Sequence, residues 1–499
     1  MNTEQIFNDL LHLSSEFSYF FGLNLILDWD SQTYLPIKGE NFRSQQFAFI
    51  EEHVSKLYKR KQTSDIVKQL QMYYNDFNEF EKRNIDVFIK SFQKNTKIPT
   101  EVLVENKKQE SITFHIWQKA KKTNNFKVYA PVLAKNVELK QRIASYIDES
   151  QNTFDVFLDQ YEPGFSSQKI DHLFSDLKPK VIDIVKKVQE SNLFDNLKLT
   201  SFKMDKTMQE KMLKKITSYI GFDLNAGRID QGEHPMTIEL GQYDDVRFTV
   251  NYNENNYLEA LFAGLHEGGH AIHAQNIDKN YAQYPIILFG NSAGIDESQS
   301  LFYENIIGRS PYFWKYYLPI FNDQTKQKLK LEDFILTINK VELSKIRIDA
   351  DELTYILHII LRFEIEKGLL DGSIQINDLP SFWNEKMKKY LNVEIENDSE
   401  GILQDIHWAT GFYGYFPSYA LGKIYNSQIL EAMKKEIDFD NLLVNGEIKT
   451  ITNWLSKNIH KKTGFYDPEE FIQIISKEKV NPNYFLKYIE EKYSTITNL

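Results

Sequence analysis

Val246-Arg247-Phe248-Thr249-Val250-Asn251-Tyr252 alternates strictly between apolar and polar residues. That period places Val246, Phe248, Val250 and Tyr252 on one face of a strand and Arg247, Thr249 and Asn251 on the other. Just upstream, His234-Pro235-Met236-Thr237-Ile238-Glu239-Leu240 runs into a turn at Gly241 to Asp244, so the two runs read as a small antiparallel β element. Outside it the period changes. From Glu4 to about Ile220 apolar residues recur at three and four spacing, as in Phe114, Trp117, Phe126, Val128, Tyr129, Val132 and Leu133. The helical period returns from Tyr257 to the end, broken near Gly290, Gly308, Pro380, Gly401 and in the aromatic stretch Gly411 to Pro417. With 21 Gly and 13 Pro in 499 residues, chain breakers are scarce. The expected fold is all-α, mainly helical, with one small antiparallel β-sheet and a deep cleft whose floor is the helix around His266. Length alone allows about three domains; the even texture favours one, residues 1–499, with a helical part at 1–220, a central part at 221–430 and terminal helices at 431–499.

Composition removes several functions. Lys and Arg number 59 against 70 Asp and Glu, a net charge of −11 without basic blocks, which speaks against a nucleic-acid partner. No apolar stretch approaches the length of a membrane span, and Met1 to Phe20 is not a signal peptide, so the cytoplasm is the expected location. There is no cysteine, so any metal must be held by His, Asp or Glu.

His266-Glu267-Gly268-Gly269-His270 is such a set, a match to H-E-x-x-H. On a helix, residues i and i+4 share a side, so both imidazoles can reach one Zn²⁺ while Glu267 reaches a bound water. Leu258, Leu261, Phe262 and Leu265 give this helix an apolar side. The two glycines cost about 1 kcal/mol each relative to Ala, a cost easier to accept where something approaches the backbone closely. A catalytic zinc needs a third protein ligand. Asn276 and His273 stand at the wrong offsets for a third histidine, which leaves a Glu from a following helix. Glu297 and Glu304, seven residues apart, share a face, and spacing does not choose between them.

At this point the chain resembles a family, the M32 metallocarboxypeptidases of the thermostable carboxypeptidase 1 type. His234-Pro235-Met236 resembles its HPF element, and Asp245 to Thr249 matches DxRxT. The H-E-x-x-H follows, then Ile346 to Asp351 as IRxxAD and Gly401 to Trp408 as GxxQDxHW. Asp28-Trp29-Asp30 to Pro36 and Tyr161-Glu162-Pro163-Gly164 are also similar. Two departures stand out: Met236 replaces Phe, and the family's HES(G)Q reads Asp296-Glu297-Ser298-Gln299. The resemblance implies Glu297 as the third ligand of Zn²⁺, with Co²⁺ as the alternative ion. It leaves Asp296 either to orient a ligand imidazole or to cap its helix. It further implies a carboxypeptidase that hydrolyses C-terminal residues from peptides through a metal-activated water, with Glu267 as base, and a homodimer.

An acyl-transfer site also needs a donor for the oxyanion; the resemblance favours His407 and Tyr419, with Tyr415 beside them as a substrate contact. Only nine arginines stand against 50 lysines, and five of the nine lie between 228 and 362. Where Lys is the default cation, an Arg marks a site that wants a planar fork, such as a substrate carboxylate. Arg247 and Arg347 are the candidates, with an ion pair to Asp351 as the structural reading of Arg347. His234 is carried as a further substrate contact, although it shares with His273 and His358 the reading of a packing or supporting residue. Two competing functions remain: an oligoendopeptidase on a related scaffold, and an inactive helical binding protein with a relic metal site, against which the intact Glu267 speaks.

Overall fold

The computed structural model describes residues 3–195, 197, 202–240 and 243–497. Helix follows helix. The first four long ones, Thr3–Thr33, Glu40–Lys59, Lys61–Met72 and Glu79–Lys97, gather Ile6, Leu10, Phe17, Leu70, Ile85 and Phe88 into an apolar cluster of their own. The fourth starts on a reciprocal capping box between Asn78 and Glu81. Tyr284 and Phe289 reach into that cluster and pack on Phe7 and Phe17. A much larger core, from Ile98 to Ile496, holds the remaining helices together.

The β element forms where alternation predicts it, and it contains a strand that sequence reading missed. β1 (Gly227–Gln231) pairs parallel with β3 (Val246–Val250), and β2 (Met236–Glu239) pairs antiparallel with β3 on its other side. The sheet is therefore mixed, in the order β1-β3-β2, rather than purely antiparallel. As the central strand, β3 buries Val246, Phe248 and Val250 completely, and Thr249 on the opposite face is buried too. Residues 241 and 242 of the expected turn lie outside the described residues.

β2 lies along the motif helix, Tyr257–Gln275. This helix is buried on nearly every side, with Leu261, Leu265, Ala271 and Ile272 at zero exposure. A Cβ on Gly269 would stand 2.7 Å from Ser300 Cα and 2.9 Å from the Gln299 carbonyl oxygen. The close approach expected at the glycines is thus made by a second helix, Ala293–Leu301. Gly268 meets nothing nearer than 3.5 Å. Cavities of about 830 Å³ and 320 Å³ open at the two ends of β2, the first lined by Glu233 and His234, the second by Glu239 and Asp296. No helix among the described residues is long and apolar enough to cross a membrane.

Candidate active site

The motif helix and the Ala293–Leu301 helix face each other across the Gly269 contact, which sets Glu297 opposite the two histidines. Glu297 Oε2 lies 4.0 Å from His266 Nε2 and 3.7 Å from His270 Nε2. Those gaps are too long for hydrogen bonds and close to the roughly 3.3 Å between ligands of one tetrahedral ion with bonds of about 2 Å. Among the described residues these three are the only cluster able to hold a metal, with ligand atoms all within 4.8 Å. One carboxylate and two imidazoles suit a borderline divalent ion.

Each histidine is turned by a carboxylate on its other nitrogen. His266 Nδ1 is hydrogen-bonded to Glu304 Oε2 at 2.9 Å. Glu304 thus backs the His266 imidazole and stands outside the three-residue cluster. The spacing argument assumed an α-helix through both residues; Phe302–Ile307 is instead a π-helix, whose wider turn swings Glu304 to the far side of the imidazole. Burial pushes the Glu304 carboxyl up, but His266, Arg309 and Lys423 outweigh it and hold it at about 2. His270 Nδ1 lies 2.9 Å from Asp296 Oδ2, off the line of a straight hydrogen bond, and Asp296 Oδ1 is bonded to His273 Nδ1 at 2.6 Å. His273 in turn meets Thr463 at 2.8 Å. The capping reading of Asp296 fails, because Ser292 caps this helix and Asp296 sits inside it. Burial raises the Asp296 carboxyl, yet His270 and His273 hold it well below the usual carboxylate range.

Glu267 is buried beside the site, and its Oε2 accepts a hydrogen bond of 2.7 Å from Thr237 on β2. β2 therefore orients this carboxylate, a role nothing in the sequence around Thr237 signalled. His407 Nε2 is 3.4 Å from the Tyr419 hydroxyl, and Tyr415 packs edge-on to Tyr419 at 5.0 Å. Burial, with Arg347 and Arg362 nearby, lowers His407 to about 4 against the pull of Asp405, so its ring is neutral at neutral pH. Burial raises both tyrosines above their ordinary range, which keeps them protonated donors.

The arginines part company. Arg347 donates from Nε to Asp405 at 2.9 Å and from Nη1 to the Tyr355 hydroxyl at 2.9 Å, and its guanidinium lies 5.3 Å from the Tyr419 ring. The alternative pair with Asp351 is not made, since Asp351 accepts from the Leu353 and Thr354 amides instead. Arg247 gives Nε and Nη2 to both oxygens of Asp245, each at 2.7 Å, and sits over Trp29. Arg362 is fully buried on Asp405, Gln404 and Trp383, and Arg309 serves Glu304 and Asn305. His234 is exposed in the 830 Å³ cavity, and its carbonyl accepts from Thr249. His358 is buried in the core.

Comparison with known proteins fits this geometry. Residues 9–493 match the family of carboxypeptidase Taq (M32) metallopeptidases. The chain belongs to the M32 family. It is 35% identical to carboxypeptidase 1 of Bacillus subtilis over 99% of this chain and 98% of that one. It is 32% identical to thermostable carboxypeptidase 1 of Pyrococcus furiosus over 94% of each. Metallocarboxypeptidase 1 of Trypanosoma cruzi superposes with a TM-score of 0.94 at 27% identity, covering 98% of this chain and 99% of that one. Membership makes this M32 chain a metallocarboxypeptidase, a peptide hydrolase with peptides as substrates.

Proposed function

We propose that the chain removes C-terminal residues from peptides at a Zn²⁺ site formed by His266, His270 and Glu297, with Co²⁺ as the alternative ion. The observation that carries this reading is the convergence of Nε2, Nε2 and a carboxylate oxygen, with a carboxylate behind each imidazole: Glu304 hydrogen-bonded to His266, and Asp296 beside His270. An ion bound there lends Lewis acidity to the attacking water and the scissile carbonyl. Glu267, oriented by Thr237, takes the water's proton and hands it to the leaving amine. Tyr419 and neutral His407 donate hydrogen bonds to the developing oxyanion.

Arg347 reads the substrate's free carboxylate, because it lies beside Tyr355 and Tyr419 with Nη2 uncommitted, whereas Asp245 already takes the fork of Arg247. Arg247, His234 and Tyr415 then serve as further substrate contacts. Residues 1–499 act as one unit, for which the Tyr284 and Phe289 contacts with the N-terminal cluster speak. The homodimer and cytoplasmic location that the sequence leads us to expect belong to the same reading. Glu267→Gln tests it: turnover falls by about a thousandfold or more while one metal per chain is retained. Near-parental turnover in that metal-loaded variant would sink the base assignment.

A further inference from the structure

Glu162 is fully buried and, among the described residues, meets no cation within ion-pair distance. All four of its contacts are donors. Oε1 accepts from the Gly294 amide at 2.6 Å and Ser418 Oγ at 2.7 Å; Oε2 accepts from Ser292 Oγ at 2.9 Å and the Tyr425 hydroxyl at 3.3 Å. Ser292 and Gly294 begin the helix that carries Glu297. Ser418 and Tyr425 belong to the Phe416–Lys434 helix that carries Tyr419, and Ser418 is its neighbour in sequence. Each carboxylate oxygen therefore bridges one donor from each helix.

Two glycines let the segments come this close. A Cβ on Gly294 would stand 2.7 Å from Glu162 Oε1, and one on Gly422 would stand 2.8 Å from Glu297 Cγ. The Tyr161 carbonyl adds a bond from the Ala293 amide at 2.9 Å. Burying a carboxylate without a counter-charge is unfavourable, and burial pushes this one up to about 7. An apolar side chain would fill the space without that penalty. What only a carboxylate supplies is two acceptors, each shared between the two helices.

We propose that Glu162 is a positioning residue for the reaction. It fixes the separation between Glu297 and the Tyr419 hydroxyl, and so the placement of the oxyanion donor relative to the metal ligands. The inference rests on the reading of Tyr419 given above. Glu162→Gln keeps shape but leaves one acceptor oxygen, so one of the two bridges is lost.

The test is a double-mutant cycle between Glu162→Gln and Tyr419→Phe, with metal content and peptide kinetics measured for each protein. Glu162→Gln is expected to hold one metal per chain and KM within about threefold, and to lose about tenfold or more in kcat. In the Tyr419→Phe background the same change should cost less than about twofold. Ser418→Ala, a milder cut beside Tyr419, should repeat the pattern with about a threefold loss in kcat and guards against a misfolded Glu162 variant. Parental kcat in both Glu162→Gln and Ser418→Ala, an undiminished loss in the Tyr419→Phe background, or joint collapse of KM and metal content overturns the proposal. An impaired Tyr419→Phe beside a normal Glu162→Gln removes the clamp alone. A fully active Tyr419→Phe removes the role of Tyr419 and the clamp with it.

Discussion

Adjacent glycines of the motif should respond to alanine with opposite signs. At Gly268 the added methyl meets only Thr217 at 3.5 Å and Ile220 at 3.8 Å, ordinary contacts, so Gly268→Ala gains the helix propensity of about 1 kcal/mol. At Gly269 the same methyl arrives 2.7 Å from Ser300 Cα and 2.9 Å from the Gln299 carbonyl oxygen, both backbone atoms. Ordinary separation is about 3.5–4.0 Å, so the Ala293–Leu301 helix must withdraw by roughly 1 Å. Overpacking costs about 1–3 kcal/mol, and against backbone atoms that cannot rotate away the upper part of that range applies, which outweighs the propensity gain. Because the propensity gain is common to both, the two variants should differ by the overpacking cost, about 1–3 kcal/mol, in denaturant unfolding of the metal-free protein. Since Gln299 lies two residues from Glu297, Gly269→Ala should also weaken metal binding by about tenfold or more, because ligand distances tolerate only about 0.2 Å. Equal effects of one sign from both variants would refute the packing argument.

Three further outcomes follow from the same contacts. Asp296→Asn leaves His270 and His273 without their shared carboxylate and should weaken metal affinity by about 10–100-fold in a chelator competition; unchanged affinity would refute the orienting role. Glu297→Gln should abolish stoichiometric metal while Glu304→Gln only weakens it, and the reverse order would exchange their roles. Glu366 is buried on the Trp408 indole N–H and the Gly414 amide, at 2.6 and 2.5 Å, and burial raises it to about 7. Its protonated form is the favoured buried form, so its stabilising contribution is complete below about pH 4.5 and is lost as pH rises through 7. Between pH 5 and 8, Glu366→Gln should lose up to about 3 kcal/mol less stability than the parent, and parallel pH curves would contradict the burial argument.

Legibility in the sequence followed the kind of constraint. The cluster of His266 and His270 was readable because H-E-x-x-H sets two imidazoles one helical turn apart, Glu297 joined it only through the family resemblance, and the alternation from Val246 to Tyr252 marked the central strand. β1 escaped notice because Gly-Arg-Ile-Asp-Gln has neither alternation nor a β-branched run, and it becomes a strand by pairing with the open edge of β3. Glu304 was ambiguous because a π-helical turn breaks the seven-residue rule on which the comparison rested. The alternative ion pair of Arg347 with Asp351 fails for a similar reason. The i,i+4 pairing with Asp351 presumes a helix, while Arg347–Asp349 is a single 3₁₀ turn and Asp405 arrives from a distant segment. Glu162 stands in the family-like Tyr161 to Gly164 turn and Thr237 in the strand run, yet their partners, like those of Glu366, come from distant segments that no local pattern encodes.

The most direct test of the account is one peptide offered with a free C-terminus and as its C-terminal amide, to the parent and to Arg347→Lys, with products read by mass spectrometry. The parent should shorten the free peptide residue by residue from its C-terminus and leave the amide intact. Arg347→Lys should lose kcat/KM on the free peptide at unchanged metal content and discriminate less against the amide. Internal cleavage of both peptides by the parent, or Arg347→Lys with parental kinetics on the free peptide, would contradict an exopeptidase that reads the terminal carboxylate through Arg347.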